Sequence, residues 1–360
     1  MKIRDQYIAK TLLSYTLIVL LVWLSIYSFF NFLAELNSVG VANYTILSAL
    51  KFVILQMPEV AYSQASPVIL LGCILGMGHL AASNQLLVFQ VSGFSILKIT
   101  KLTIKNALVF IIFIIIIGEI FAPISSEFAK SERSIALGKN SFSSNQNSFW
   151  IRDGDNFINV RNNLDGKTFN DITIIEVSKS NRIDRVIKSE TASFDGNSLD
   201  MSNNKIFSID STNFFEDILA KERKSYKKTV SFDQDLIESL EREPKDLTTW
   251  TIVKQIQFLS DNKLRSGVFE VELYKRLIKP VSLIAMILVA MLFIFGSTRD
   301  ATLGRKIFFG VALGLSFEML SRIGGAIALS FDYSPLISSS LPSAFVIMIS
   351  TTLLIKKSIS

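Results

Sequence analysis

The sequence is poor in the residues from which catalytic and metal centres are built. Its 360 residues include one cysteine and one histidine. Cys73 alone cannot close an internal disulfide, and with His79 it forms no zinc-ligand pattern. Inside an apolar run, Cys73 reads as a small buried hydrophobe, and His79 as a packing or interfacial residue. No G-x-x-x-x-G-K-[ST] occurs, which excludes a P-loop for nucleotide. Neither G-x-S-x-G nor H-E-x-x-H is present, and no second histidine is available for a triad. Charge is scarce as well: 19% of residues are charged, against about a quarter in soluble domains. A simple cytosolic enzyme is excluded.

Apolar residues are in excess, at 49% of the chain, and they gather in two blocks, 9–122 and 277–355. A membrane span needs about 20 mostly apolar residues. Six segments qualify: 11–32, 53–80 (interrupted by Pro58 and Pro67), 102–122, 277–295, 307–329 and 336–355. The first lacks a small-residue cleavage site and reads as an uncleaved helix. Six spans put both ends on one side, and that side holds Lys2, Arg4, Lys10, Lys98, Lys101, Lys105, Arg299, Arg305, Lys306, Lys356 and Lys357. The short loops opposite, 33–51 and 330–335, hold only Lys51. The positive-inside rule puts both termini in the cytoplasm and 123–276 outside. "Outer" below denotes helix ends that lead into that stretch.

The outer stretch reads as β. FWIRDGDNFINV at 149–160 is two strands around Asp153-Gly154, a strong hairpin signal. Asp153 and Asp155 beside Gly154 fit a turn better than a paired-carboxylate site. Further strands are expected at 172–177, 185–194, 206–210 and 226–232, which suggests a sandwich or jelly roll. A helix is expected over 247–262, starting at Thr248 or Thr249. The expected fold is thus an α-helical membrane protein of six transmembrane helices, with an all-β, jelly-roll-like domain between helices 3 and 4. Its parts are 1–122, 123–276 and 277–360.

Charges inside the apolar blocks carry most of the functional signal. Glu59, Glu119, Glu318 and Arg322 interrupt spans in their outer halves, where such residues face a bundle interior or a cavity. Glu318 and Arg322, four apart, share a helix face and can pair. At the outer boundary stand Lys130, Arg133, Lys275, Arg276 and Lys279, cations suited to phosphate or carboxylate groups of a lipid head. Snorkelling helix ends explain any one of them equally well. Gly310 and Gly314 form a stripe with Glu318 and Arg322 that fits a subunit seam or ordinary packing, as does Gly72-xxx-Gly76. The loop at 83–94 reads as a short apolar helix with Ser83 as N-cap and Gly93 as stop. It either lies on lipid or docks in a groove of a cytoplasmic subunit.

The order of three spans, β domain and three spans resembles the LptF/LptG (YjgP/YjgQ) family, the permease subunits of the bacterial lipopolysaccharide exporter. The resemblance runs along essentially the whole chain. It includes RDQYIAKT at the start, LLGCILGMGHLAASNQLLVFQVSGFS at 70–95, GEIFAP at 118–123, FIFGSTR at 293–299 and SPLISSSLPSAF at 334–345. SGFS and FWIRDGDNF favour the LptG-like subunit, whereas PEVA at 58–61 is closer to its LptF-like sister.

The resemblance implies lipopolysaccharide extraction from the outer leaflet of the inner membrane. It implies an LptF-type sister permease, an LptB-type cytoplasmic ATPase dimer that binds the ATP and Mg²⁺, a single-span LptC-type protein and an LptA-type periplasmic bridge. No cofactor is expected in this chain, and no nucleic acid partner. Carried over, the ATPase docking helix comprises Asn84, Gln85, Leu86, Leu87, Val88 and Phe89, reaching Val91. Lys130, Arg133, Lys275, Arg276 and Arg322 are the head-group candidates. Gly310, Gly314, Phe317 and Glu318 line the cavity or subunit seam with the first span. The family pattern has an acid where Gln85 stands and lysines near Asn31, Asn37 and Ser38. Rival readings are a force-transmitting permease, a membrane enzyme of envelope lipids and a structural scaffold.

Overall fold

Backbone in hydrocarbon has no water to bond to, so the apolar blocks close their hydrogen bonds internally as helices, even through β-branched runs such as FIIFIIIIG at 110–118. The computed structural model describes residues 3–138, 149–163, 167–178, 182–210, 217–232, 236, 242–295, 303–331 and 333–359. Lys2 and Arg299 of the basic set, and the GSTR of FIFGSTR, lie outside the described residues. Two compact units emerge: 1–39 with 49–129 and 270–360, and 40–48 with 130–269.

In the first unit the helices are α1 (Ile3–Glu35), α2 (Ile46–Ser63), α3 (Ala65–Ala82), α4 (Gln85–Val91) and α5 (Ile96–Ile116). A π-helical segment, Ile117–Phe121, joins α5 to α6 (Ala122–Ala136). After α7 (Thr249–Asp261) of the second unit come α8 (Gly267–Phe295), α9 (Leu303–Phe331) and α10 (Pro335–Ile359). The core is α3, buried on nearly all sides by α1, α5, α8 and α9.

Among the described residues, seven helices are long and apolar enough to cross a membrane, because the expected second span is two helices of 18 residues each. The break falls at Gln64 rather than at either proline. Pro67 lacks an N–H and is best placed in a first turn, and a new helix starts just before it; Pro58 stays inside α2. Both helices still form one rod against α5 and α6. The Tyr62 ring covers Gly118, Ser126 Oγ donates to Glu59 at 3.1 Å, the Lys51 ammonium lies 5.0 Å from the Phe128 ring and Thr103 Oγ donates to Met77 Sδ. Numbers fall on one rod as they rise on the other, which is antiparallel packing. The continuous helix from Ile96 to Ala136 has 41 residues. At 1.5 Å per residue it runs about 60 Å, twice the hydrocarbon thickness of about 30 Å. Thus α3 runs beside the apolar part of α5 and α2 extends beyond it, which leaves six to seven candidate spans among the described residues.

The second unit carries one antiparallel sheet of six strands in chain order: β1 (Phe149–Asp153), β2 (Asn156–Asn163), β3 (Thr168–Val177), β4 (Ile183–Phe194), β5 (Ser198–Asp210) and β6 (Asp217–Thr229). The expected hairpin is there, with Asp153 opposite Asn156 and Gly154 at φ 60°. The last strand begins nine residues earlier than expected and stops at Thr229; its many lysines hid it from a hydropathy pattern. The sheet curls, because Lys228 on β6 reaches Glu176 on β3 at 2.5 Å and Asn156 on β2 at 3.1 Å. Asp153 Oδ2 accepts from Ser231 N just past β6, which confirms its structural role.

A row of irregular positions crosses the strands. Asp171 and Asn203 have positive φ; Arg161 pairs with Asp171 at 2.8 Å and Asn203 donates to Glu190 at 3.0 Å. Across that row the inward positions change parity: Phe169 then Ile172 and Ile174 on β3, Met201 then Asn204 on β5. A left-handed residue flips the alternation that a strand otherwise keeps. The concave face holds Ile158, Ile172, Ile174, Ile187 and Met201, covered by Phe232 and Phe258. Helix α7 starts where expected, with Thr248 Oγ accepting from Thr251 N at 3.2 Å.

Glycine makes the α1–α3 contact. A Cβ at Gly72 would stand 2.6 Å from Thr16 Cα, a backbone atom that cannot step aside, whereas Gly78 on the same helix faces open space. We predict that Gly72→Ala destabilises the purified protein by about 1–3 kcal/mol through overpacking. Gly78→Ala is expected to leave thermal unfolding in detergent unchanged or slightly raised.

Candidate functional site

The outer level of the helical unit concentrates the charges that the apolar blocks otherwise avoid. Its centre is Arg276 on α8, whose side chain is 5% exposed. Its Nε donates to Glu272 one turn earlier at 3.2 Å, and its Nη1 lies 3.6 Å from Glu119. Glu119 sits in the π segment. Pro123, four residues on, has no N–H to return to the Glu119 carbonyl, and the wider π turn relieves the clash an α-helix would meet there. The ring of Tyr62 packs at the same height, against Gly118.

Lys279, one turn beyond Arg276, donates to the Ser63 carbonyl at 3.1 Å, and its ammonium lies 5.5 Å from the Tyr62 ring. The acceptor is no accident of packing. In a continuous helix Ser63 O would receive the N–H of residue 67, and residue 67 is proline. Lys279 supplies the missing donor.

The remaining candidates divide by surroundings. On α9, Glu318 and Arg322 form the expected i,i+4 pair at 3.6 Å, with the Arg322 side chain 65% exposed. The Lys275 side chain crosses α9 at Gly325, where a Cβ would meet its Nζ at 3.0 Å. In the second unit, Lys130 Nζ pairs with the buried Asp246 at 2.5 Å, in the single turn Pro244–Asp246. There the Lys245 ammonium, hydrogen-bonded to Glu243, holds that carboxyl below the usual range. Arg133 lies 5.9 Å from the ring of buried Tyr44. Head-group candidates equal in the sequence therefore differ in space: Arg276 is enclosed by two carboxylates, and Arg322 is open on one side.

The glycine stripe packs within the chain. A Cβ on Gly310 would strike Leu71, and one on Gly314 would stand 2.8 Å from Pro67 Cα, so both face α3. Phe317, one turn on, is buried in the same core. Small residues there admit α3, and the opposite face of α9, with Phe308, Met319, Leu320 and Ile323, is left exposed.

At the other end of the bundle, α4 is a helix of seven residues. Its entry is Asn84 in the left-handed region rather than a Ser83 cap; Ser83 Oγ instead donates back to His79 O at 2.9 Å. Gly93, at φ 84°, ends it as expected. Leu86 is 3% exposed, and Phe89 packs on the core, edge-on to Phe94 at 6.1 Å. Leu87, Val88 and Val91 face outward, Val91 at 83%. Gln85 turns its Oε1 inward, without a hydrogen-bond partner among the described residues. His79 stacks near Tyr15, ring centres 5.5 Å apart. Among the described residues, no cluster of three or more His, Cys, Asp or Glu is arranged to hold a metal.

The sequence patterns missed Tyr62 and Ser63 as members of this level, and placed Lys279 at the outer boundary without its partner. The available signal was a helix-breaking Pro67 whose orphan carbonyl needs a donor.

Comparison with known proteins gives a collinear match. The family described as "Lipopolysaccharide export system permease LptF/LptG" matches residues 6–356. Lipopolysaccharide export system permease protein LptG of Escherichia coli (strain K12) is 27% identical over 354 residues, covering 98% of both chains. LptG of Haemophilus influenzae is 28% identical over 346 residues, covering 96% of both.

Removing one partner of a buried ion pair leaves the other without compensation. Arg276→Met strands two carboxylates that keep partial exposure, and is expected to cost about 3 kcal/mol. Glu119→Gln with Glu272→Gln in that background recovers part of it. Thermal unfolding of the three proteins in detergent checks the order.

Proposed function

This chain belongs to the LptF/LptG family of lipopolysaccharide export permeases, and from that membership we propose that it works as the LptG-type half of an ATP-driven extractor of lipopolysaccharide in the inner membrane. It is a permease, a transport protein and not an enzyme. The observation that carries the finer reading is uncovered apolar surface. Helices α1, α9 and α10 cover little of their own apolar area within this chain, so a sister permease of the LptF type, or lipid, completes them. In this reading the exposed face of α9, opposite its glycines, meets the cavity together with α1.

The lipid head is anionic, and outer cations that keep part or most of their surface exposed are suited to it. Arg322, Lys275, Lys130 and Arg133 are the residues proposed to meet phosphate or carboxylate groups. Arg276 is withdrawn from that set because its side chain is 5% exposed and held by two carboxylates, whereas Lys130, though paired with Asp246, keeps 40% of its side chain exposed. The β unit, with its apolar concave face, is proposed to hand the lipid towards an LptC-type protein and an LptA-type bridge outside the inner membrane.

ATP and Mg²⁺ belong, in this reading, to an LptB-type ATPase dimer on the cytoplasmic side. Helix α4 is proposed as its docking element, with Leu87, Val88 and Val91 as the contact face and Leu86 and Phe89 as the root in the permease. Gln85 turns inward, so the contact is apolar where an acid would make it ionic.

Lys130→Ala with Arg133→Ala is expected to lower lipopolysaccharide-stimulated ATPase activity of the assembled complex by about tenfold, the loss of one to two charge-assisted contacts. Unchanged stimulation and unchanged lipid crosslinking would remove the head-group role. Leu87→Glu or Val88→Glu is expected to abolish co-purification of the ATPase while the permease keeps its melting temperature. Normal recovery of the ATPase with either variant contradicts the docking face.

A further inference from the structure

Two rods depart from the α-helix at one height, and a third, continuous helix carries a proline there. On the first, Gln64 breaks α2 from α3 at φ −91°, ψ 11°. On the second, directly opposite, the π segment Ile117–Phe121 interrupts α5 and α6. On the third, Pro280 lies inside α8 and removes the donor owed to the Arg276 carbonyl. Kinks and π turns are where long helices bend.

Side chains tie the two departures and the proline together. Tyr62, next to the first break, packs on Gly118 in the second. Arg276, beside the third, reaches Glu119 in the second at 3.6 Å. Lys279, also beside the third, closes on Ser63 O at the first at 3.1 Å. Backbone at a helix break in a membrane must find a donor elsewhere, and here the donor comes from a different rod. Inward of this level, α3 is packed on nearly all sides. Outward of it, α2 leaves Ile46, Leu47, Leu50 and Ile54 exposed. The outward arms 49–63, 122–129 and 270–279 include the two through which the chain enters and leaves residues 130–269.

We propose that this level is a hinge: the outer arms of the three rods bend together about Gln64, the π segment and Pro280, and Lys279 and Arg276 are positioning residues that keep the arms in step. The inference rests on the ATP-driven reading above for its output. The hinge lets a change in the inner half of the bundle reach the 130–269 unit through covalent continuity, without unpacking α3. Two breaks and a proline at unrelated heights would bend independently; linked at one height, they share one motion.

The test compares Pro67→Ala, Lys279→Met and the double variant in the full complex with its ATPase. Alanine at this position restores an N–H to Ser63 O, so Pro67→Ala straightens the break and makes Lys279 dispensable as a donor. The hinge predicts a Pro67→Ala protein that is as stable as the parent, or more so, with unchanged basal ATPase. Its lipopolysaccharide-stimulated ATPase falls by about 5-fold or more, the lower range of a coupling effect. Lys279→Met loses both stability and stimulation, and the double variant recovers stability alone. Recovery of stimulation as well would mean that Lys279 only repairs a broken helix, and the hinge would be overturned.

A second readout is independent of lipid. Cys73 is fully buried, so spin labels on Leu50→Cys and Val109→Cys, both exposed, report the arm against the inner bundle. An arm of about 14 residues is about 21 Å long, and a bend of about 20° moves its tip by about 7 Å. A shift of that order on trapping with ATP and vanadate, absent in Pro67→Ala, supports the hinge; identical distances in both states of the parent overturn it. A parent complex that shows the shift but no stimulation by lipopolysaccharide would leave the hinge standing and count against the transport reading.

Discussion

A guanidinium enclosed by two carboxylates governs the architecture of the helical unit. Arg276 cannot leave Glu119 and Glu272 without stranding charge in a poorly solvated place, so α8 and the π segment are locked at one height. That height sets the rest. Tyr62 finds Gly118 only if α2 sits at this level, Lys279 meets Ser63 O only one turn past Arg276, and Pro67 can open the helix only because Lys279 closes it. Apolar packing alone would permit the rods to slide, since one apolar turn resembles the next. Charges and helix breaks are scarce enough to register them.

The same economy separates structural from available charge. Cations in the outer half start alike, but Arg276 and Lys279 are committed to the protein, whereas Arg322 leaves 65% of its side chain exposed. Lys130 is anchored to Asp246, and Arg133 leans on Tyr44. A permease for an anionic amphiphile needs both kinds, cations that hold the wall in place and cations that the wall presents. In the β unit the division is by face: an apolar concave side, and an outer side tied by pairs such as Arg161 with Asp171.

Much of this was legible from residues in order. Hydropathy located the spans, because lipid demands long apolar runs; Asp153-Gly154 located the hairpin, because a two-residue turn needs a left-handed residue. Spacing four apart paired Glu318 with Arg322. Other features are pairwise facts that no single stretch carries. Gly310 and Gly314 read as a seam with another subunit, yet they admit the chain's own α3. Pro58 and Pro67 both looked like interruptions, and only the second stands beside a break, where Lys279 from another rod serves the orphan carbonyl. Nothing local distinguishes Arg276 from Arg322, because their partners are a turn and a rod away. The lysine-rich β6 was shortened by hydropathy for a similar reason: its lysines serve cross-strand pairing, not the core.

The central claim is that the anionic lipid is handled by the exposed or half-exposed outer cations of this chain, with the buried ones holding the frame. Site-specific photocrosslinking in membranes tests it most directly, with the crosslinker placed in turn at Arg322, at Arg133 and at Lys105 near the opposite end of the helices. The account predicts ATP-dependent capture of lipopolysaccharide at Arg322 and Arg133 and none at Lys105. Equal capture at all three positions, or capture at Lys105 alone, would contradict it.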